Sequence, residues 1–297
     1  MTILSSSWHR LSLVIMLVLA PACAQAQVDV EIIGNTAYAT IALADSGGNI
    51  YAADASIVFD SPLNLSAEGL NLSAELVNPS DPQFNSRLPA GVVVDSDFPL
   101  LVTVEPLAYP WLFIDGFDGL PLAPGGLSFR NSYRLEIHTH DLVYTPNSPY
   151  RLMKAPIGGS FADITEDVRS GSTRARGRGG AFSQFVVVKD VRPHLSVALA
   201  KLAALDVRLL AAVLSNPLRL ELATLLAQVH AALLLPLGGC VNAVTPLDQF
   251  LATVNANAGI GIANLWRAER DLANDAGELQ SLAYTLRFSL LACSANP

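Results

Sequence analysis

Cysteine is scarce in this chain of 297 residues, which has three, and aromatic residues make up only 7% of it. Charge is thin too, at 15% Asp, Glu, Lys and Arg, and the acids outnumber the bases by 26 to 18. Nucleic-acid modules carry a basic footprint, so this balance argues against DNA or RNA as the partner. The sequence holds no G-x-S-x-G, no H-E-x-x-H, no P-loop and no dinucleotide fingerprint, so no motif marks it as a hydrolase, zincin or nucleotide enzyme. Beyond the N-terminal segment no clean apolar run suits a membrane span. Leu222 to Leu247 lacks Asp, Glu, Lys and Arg, but His230, Pro236 and Gly238-Gly239 interrupt it.

The N-terminus is more informative. Trp8-His9-Arg10 precedes an apolar run, Leu11 to Ala20, and then PACAQAQ, where Ala24 and Ala26 bracket Gln25. A basic start, a short apolar core and a small-residue cleavage site read as a signal peptide over residues 1–26. The expected destination is the periplasm or the exterior. The alternative is a lipoprotein anchored through Cys23 in Ala20-Pro21-Ala22-Cys23, although the usual leucine three residues before the cysteine is missing. Export leaves Cys240 and Cys293, an even pair in an oxidising compartment, and these are expected to form a disulfide.

Two periods divide the rest. Residues 27–193 carry VDVEII, TAYATIAL, ASIVFD, LLVTVEPL, YRLEIHTHDLVY and FSQFVVV between clusters such as DSGGN and TPNSP. Short β-branched runs at this spacing predict an antiparallel, Ig-like β-sandwich. LNLSAE occurs at 63–68 and again at 70–75, expected as two strand pieces around Gly69. Residues 194–297 switch to helical spacing and predict an antiparallel helical bundle. Leu195, Leu199, Leu202, Leu205 and Leu209 mark one helix. Leu265, Ala268, Leu272, Leu279, Leu282 and Leu286 mark a long last one, and Thr245-Pro246 reads as a helix start. Phe185 to Val188 are apolar on both faces of their strand, so something must cover the second face, and the helices that follow are the expected cover.

SGSTRARGRGG, residues 170–180, resembles an RNA-gripping RGG segment. Alternation instead predicts a strand over 172–178 with Arg174, Arg176 and Arg178 on one face, turned by Gly179-Gly180 into FSQFVVV as a hairpin. Like charges spaced this way need water or carboxylates, with Asp163, Glu166 and Asp167 just upstream. Arg87 is the only base from Gln27 to Phe129, whereas bases prevail over 130–193. The row is therefore also a candidate surface for an anionic partner.

Other sites have competing readings. Arg134, Glu136, His138 and His140 share a strand face, so His138 and His140, with Glu136, are candidate metal ligands, zinc being the natural ion. A solvated polar face is the plainer alternative. Asp95 and Asp97, and Asp115 and Asp118, are acidic loops open to calcium or to plain turn formation. Tyr109, Trp111 and Phe113 alternate, as a glycan-stacking platform if they face out and as core if they face in. No cofactor is otherwise implied.

The block SPYRLMKAPIGGSFADITEDVRSGSTRARGRGGAFSQFVVVKD, residues 148–190, resembles the closing strands of an uncharacterised family of exported bacterial proteins, and FDSPLNLSAEGLNLSAELVNP resembles their early strands. The resemblance implies export and a β-sandwich and brings no activity. The expectation is an exported, non-enzymatic binding or cell-envelope module whose partner is an acidic surface, a glycan or another envelope protein. A metal-dependent or glycan-acting hydrolase is the alternative.

Overall fold

The computed structural model describes residues 27–108, 126–145, 147–169, 172–235 and 237–295. The signal-peptide segment, Cys23, the Tyr109, Trp111 and Phe113 platform and the Asp115 and Asp118 loop lie outside the described residues. Strands β1 (Gln27–Ile33), β2 (Thr36–Ala44) and β3 (Ile50–Leu63) pair antiparallel in order. Asp45 closes the second turn by accepting from the backbone N–H of Gly47 and Asn49 at 2.8 and 2.9 Å. Next come α1 (Ala67–Leu70), β4 (Leu72–Leu76), α2 (Pro82–Asn85), β5 (Val92–Val94), β6 (Leu100–Val104) and β7 (Ser128–Thr139). Strands β8 (Tyr150–Ala155), β9 (Ala162–Asp163), β10 (Thr165–Arg169), β11 (Thr173–Gly179) and β12 (Gln184–Asp190) complete the β region. Helices α3 (His194–Ala211), α4 (Asn216–Leu233) and α5 (Gly239–Asn257) follow, then β13 (Leu265–Arg267) and α6 (Asp275–Ala295).

The architecture is mixed: two antiparallel sheets and, among the described residues, six helices, mostly C-terminal. The first sheet runs β1-β2-β3-β7-β11-β10, with β13 added to β7. The second runs β4-β6-β12-β8-β9, with β5 beside β12. Alternation sends Ile41, Ile57 and Leu135 of the first sheet and Val102, Leu152 and Phe185 of the second into one apolar cluster. Tyr133 and Phe182 stack within it at 4.6 Å. Each such side chain contributes about 1.5–3 kcal/mol on burial. Among the described residues no helix is long and apolar enough to cross a membrane. A Cys240–Cys293 disulfide ties the start of α5 to the end of α6, as the cysteine count predicts.

Several expectations change. β12 is buried on both faces, but its second face meets Phe84, Leu88, Val92, Val94 and Phe161. The segment around α2 folds back over the sheet and does the covering expected of the helices. The first LNLSAE ends β3 and enters α1, with Ser66 accepting from Gly69 N–H at 3.0 Å, while the second copy is strand β4. Leu265, Ala268 and Leu272 belong to β13 and the turn after it, not to the last helix, because Trp266 is drawn into the aromatic core against Phe129. Thr245-Pro246 lies inside α5, which starts after Gly238 at φ 70°. Leu195 and Leu199 of α3 are exposed, and its buried stripe runs instead through Ala198, Leu202, Leu205 and Leu209.

Gly179-Gly180 makes no hairpin, since β11 and β12 belong to different sheets. The two glycines are needed for close approach. A Cβ on Gly179 would lie 2.3 Å from the Tyr133 hydroxyl, and one on Gly180 would lie 2.5 Å from the backbone N of Glu278. Gly277 of α6 is as tight, with Asn131 O 2.2 Å from its would-be Cβ. Asn274 stitches this junction by donating to Asn131 O at 2.6 Å and Gly180 O at 2.9 Å.

α6 is buried on almost every side. One side meets α3 and α5, and the other lies against β7, β11 and β10. The sheet-facing side repeats Gly277, Ser281, Thr285 and Ser289 at four-residue steps, which stack along one helix face. Ser281 donates to Arg178 O at 2.6 Å, and Thr285 donates to Thr165 O at 2.9 Å. Beside them Lys201 of α3 is fully enclosed, its Nζ 2.7 Å from Asp163 Oδ2 and donating to Thr285 O at 3.1 Å. Burial pulls the Lys201 ammonium below its usual value, and the Asp163 charge opposes that pull. Removing one member of a buried pair strands the other charge. Lys201→Met is therefore expected to lower stability by about 3–5 kcal/mol, read from urea midpoints. Lys201→Met with Asp163→Asn should recover part of the loss, and a single-variant loss near zero would show that the pair does not hold the junction.

Candidate functional site

The outer face of the first sheet gathers most of the residues that the sequence singles out. β11 pairs with β7 so that Arg174, Arg176 and Arg178 stand opposite His138, Glu136 and Arg134. On the other side of β7, Asp54 and Ser56 of β3 stand opposite His138 and Glu136. The small residues of β11 point inward and are buried, as the alternation requires.

The arginine row is met by carboxylates on both neighbouring strands. Arg174 Nη1 lies 3.1 Å from Glu136 Oε1, and Arg176 Nε binds the other oxygen of the same carboxylate. Arg176 also reaches Asp167 at 3.9 Å. Arg178 grips Glu166 with two bonds of 2.7 and 3.0 Å, and its guanidinium lies 4.0 Å from the Tyr284 ring centre. Asp163, also expected nearby, points instead into the buried junction with Lys201. Arg134 is different. It is exposed and has no hydrogen bond or ion pair among the described residues.

This pairing removes Glu136 as a ready metal ligand, because two guanidinium groups already hold it. His138 and His140 do meet, with ring centres 4.7 Å apart. Among the described residues no group of three or more His, Cys, Asp or Glu side chains is placed to hold a metal ion. His138 has other partners. Its Nε2 lies 2.5 Å from Ser172 Oγ, and its Nδ1 lies 3.6 Å from Asp54 Oδ2. Sequence reading passed over Ser172 and Asp54, because neither is near His138 in the chain and only strand register brings them together.

Two hollows border this face. One, of about 580 Å³, opens where the sheet meets the ends of α5 and α6, and is lined by Asp60, Asn131, Arg134, Asn255, Gln280 and Tyr284, among others. Its amides are mutually braced, with Gln280 donating to Asn255 Oδ1 at 2.9 Å and Asn264 donating to Asn131 Oδ1 at 3.1 Å. The other, also about 580 Å³, lies toward β2 and is lined by Ile33, Tyr38, Thr40, Asp54, His138 and Arg174, among others.

The Asp95 loop serves the fold. Asp95 Oδ2 is 2.7 Å from Lys189 Nζ and accepts from the Tyr150 hydroxyl at 3.0 Å, while Oδ1 accepts from Asp97 N–H at 3.2 Å. Burial alone would raise the Asp95 carboxyl. The Lys189 contact, the Asp97 N–H and the Tyr150 hydroxyl outweigh burial and hold it below its usual range. A carboxyl lowered in the folded state stabilises above its unfolded pKa of about 3.9, and that stability is lost as the pH falls through the folded value. The stability gap between wild type and Asp95→Asn should therefore be widest near neutrality and close at low pH. Urea midpoints taken from neutral pH down to about pH 2 would show this, and a gap independent of pH would contradict it.

A family of unknown function (DUF6689) matches residues 14–294. No curated protein and no solved structure matches the chain.

Proposed function

The chain belongs to that family of unknown function, and from its geometry we propose an exported binding module of the cell envelope that takes an acidic glycan in the cleft beside Arg134. In fold terms this reading makes the two sheets an Ig-like sandwich carrying a helical bundle. The apolar cluster common to both sheets and the separate cluster among the long helices support it. Export rests on the signal-like segment at residues 1–26 and accords with the Cys240–Cys293 disulfide.

The observation that carries the ligand assignment is the contrast among the arginines. Arg174, Arg176 and Arg178 are compensated by Glu136, Glu166 and Asp167, so the row braces the sheet and leaves little charge over for a partner. Arg134 has no such compensation among the described residues and lines a hollow together with amides, Asp60 and Tyr284. A guanidinium beside planar amides suits a carboxylate flanked by hydroxyls, since it can grip the acid bidentately while the amides donate to and accept from the hydroxyls. The face is rigid because each flanking charge is already tied to a neighbouring strand.

Titration calorimetry with an oligogalacturonate, and with a neutral oligosaccharide of equal length, tests the reading. Binding of the acidic chain is expected, weakening with salt. Arg134→Gln should weaken it about 10- to 100-fold, the range for losing hydrogen bonds to a charged group. Absence of binding by either oligosaccharide, or an unaffected Arg134→Gln variant, would overturn the assignment.

A further inference from the structure

The strongest unassigned chemistry lies at the other end of β7. Ser172 Oγ, His138 Nε2, His138 Nδ1 and Asp54 Oδ2 form a relay of hydroxyl, imidazole and carboxylate, with contacts of 2.5 and 3.6 Å. Three separate strands position it. Asp54 and His138 are register partners on β3 and β7, and Ser172 immediately precedes β11, whose Arg174 is the register partner of His138 on the opposite side. Ser172 has φ 87°, a backbone region that residues with a Cβ avoid. Strain of this kind gathers where a side chain must be aimed, and here the hydroxyl is aimed at the imidazole. The His138 side chain is enclosed, at 12% exposure, whereas Asp54 faces water at 65%. Thr40 Oγ1, 3.5 Å from Asp54 Oδ1, steadies the carboxylate.

We infer that Ser172, His138 and Asp54 act as nucleophile, general base and orienting carboxylate in the hydrolysis of small carboxylic esters. This activity stands apart from the glycan-binding cleft and does not depend on it. For Nε2 to accept from the serine, Nδ1 must carry the ring proton, which faces Asp54. The contact of 3.6 Å is long for a hydrogen bond, as is common before substrate binds, and it gains strength once the ring becomes positive. In the first step the Ser172 oxygen bonds to the ester carbonyl carbon while its proton passes to His138 Nε2. The bond from that carbon to the alcohol oxygen then breaks, and the alcohol leaves with the proton from His138. Water attacks the acyl-serine and gives a proton to His138. The acyl–serine bond breaks, the acid departs, and the serine recovers its proton. The sum is ester plus water to acid plus alcohol. His138 and Asp54 line the adjoining hollow toward β2, together with Arg174 and the Glu136 carboxylate that holds it.

The hollow also indicates the substrate class. Ile33 and Tyr38 are exposed apolar side chains on its wall, Thr40 and Ser56 are polar, and Glu31 and Glu136 are acidic, which disfavours an anionic substrate. That combination suits a short acyl group carried on a hydroxylated alcohol. The site is open to water, and a good leaving group fits such a site better than an amide would.

The test is labelling of the mature protein with a serine-directed fluorophosphonate, read by peptide mass spectrometry, alongside hydrolysis of p-nitrophenyl acetate. Label on Ser172 is expected, with loss of both signals in Ser172→Ala. His138→Gln should slow labelling and hydrolysis about 100-fold or more, the usual contribution of a general base. Asp54→Asn, on an exposed side chain whose loss should not disturb folding, should slow both by a smaller factor. Wild type that takes no label, takes it on another residue, or labels no faster than His138→Gln would overturn the inference. Asp54→Asn indistinguishable from wild type would remove the carboxylate from it. The wild-type labelling result needs no variant to fold, and it leaves the Arg134 reading untouched.

Discussion

The fold depends on how closely α6 can approach the first sheet. Gly277 and Gly180 bring helix backbone and strand backbone to distances that no side chain would permit. Once the helix is that near, its polar seam becomes obligatory, because buried carbonyls at the edge of β10 and β11 need donors. Ser281 and Thr285 supply them, and Lys201 enters from α3 to meet Asp163. Helices α3 and α5 pack on the other side of α6, the disulfide ties its far end to α5, and the strand β13 just before it pairs with β7. A seam lined by small and hydroxylated residues is held by hydroxyl-to-carbonyl bonds and by the Lys201–Asp163 and Lys154–Glu278 ion pairs. Those groups specify one docking geometry, since any shift leaves several unpaired.

The same accounting of partners shapes the outer face. A strand bearing three arginines on one side is tolerable only if carboxylates flank it, and β7 and β10 provide Glu136, Glu166 and Asp167. This compensation turns a basic stripe into a stiff, nearly neutral lattice. The residues outside the lattice then stand out: Arg134, without an ion partner among the described residues, and His138, tied to a serine and an aspartate. Both readings of function rest on these exceptions. A rigid sheet beneath them is what a binding or reacting group needs, because strand backbone moves less than loop backbone.

Much of the site was legible one strand at a time. Alternation correctly placed Arg134, Glu136, His138 and the three arginines on outward faces, since side-chain direction in a strand follows from local geometry. It could not say which strands are neighbours. Glu136 therefore stands in the sequence as either a candidate metal ligand or part of a solvated face, and only the register of β11 beside β7 gives it two arginine partners, just as only register brings Ser172 and Asp54 to His138. The seam of α6 was equally present as Gly277, Ser281, Thr285 and Ser289, but its leucine stripe marks only the side that faces the other helices, not the side that docks on the sheet through small and hydroxylated residues.

The duplicated LNLSAE marks the limit most clearly. One copy is a strand and the other enters a helical turn, with identical local propensities. Composition, period and cysteine count were enough for a β-rich first region, a helical second one and the Cys240–Cys293 pairing. These depend on local backbone preference and on a choice of partners reduced to one pair. Tertiary structure alone decided that Gly179-Gly180 crosses between sheets, that residues 265–267 join the first sheet, and that an aspartate, a histidine and a serine meet. Each of these depends on which distant backbone lies within a few ångströms, and no local period encodes that.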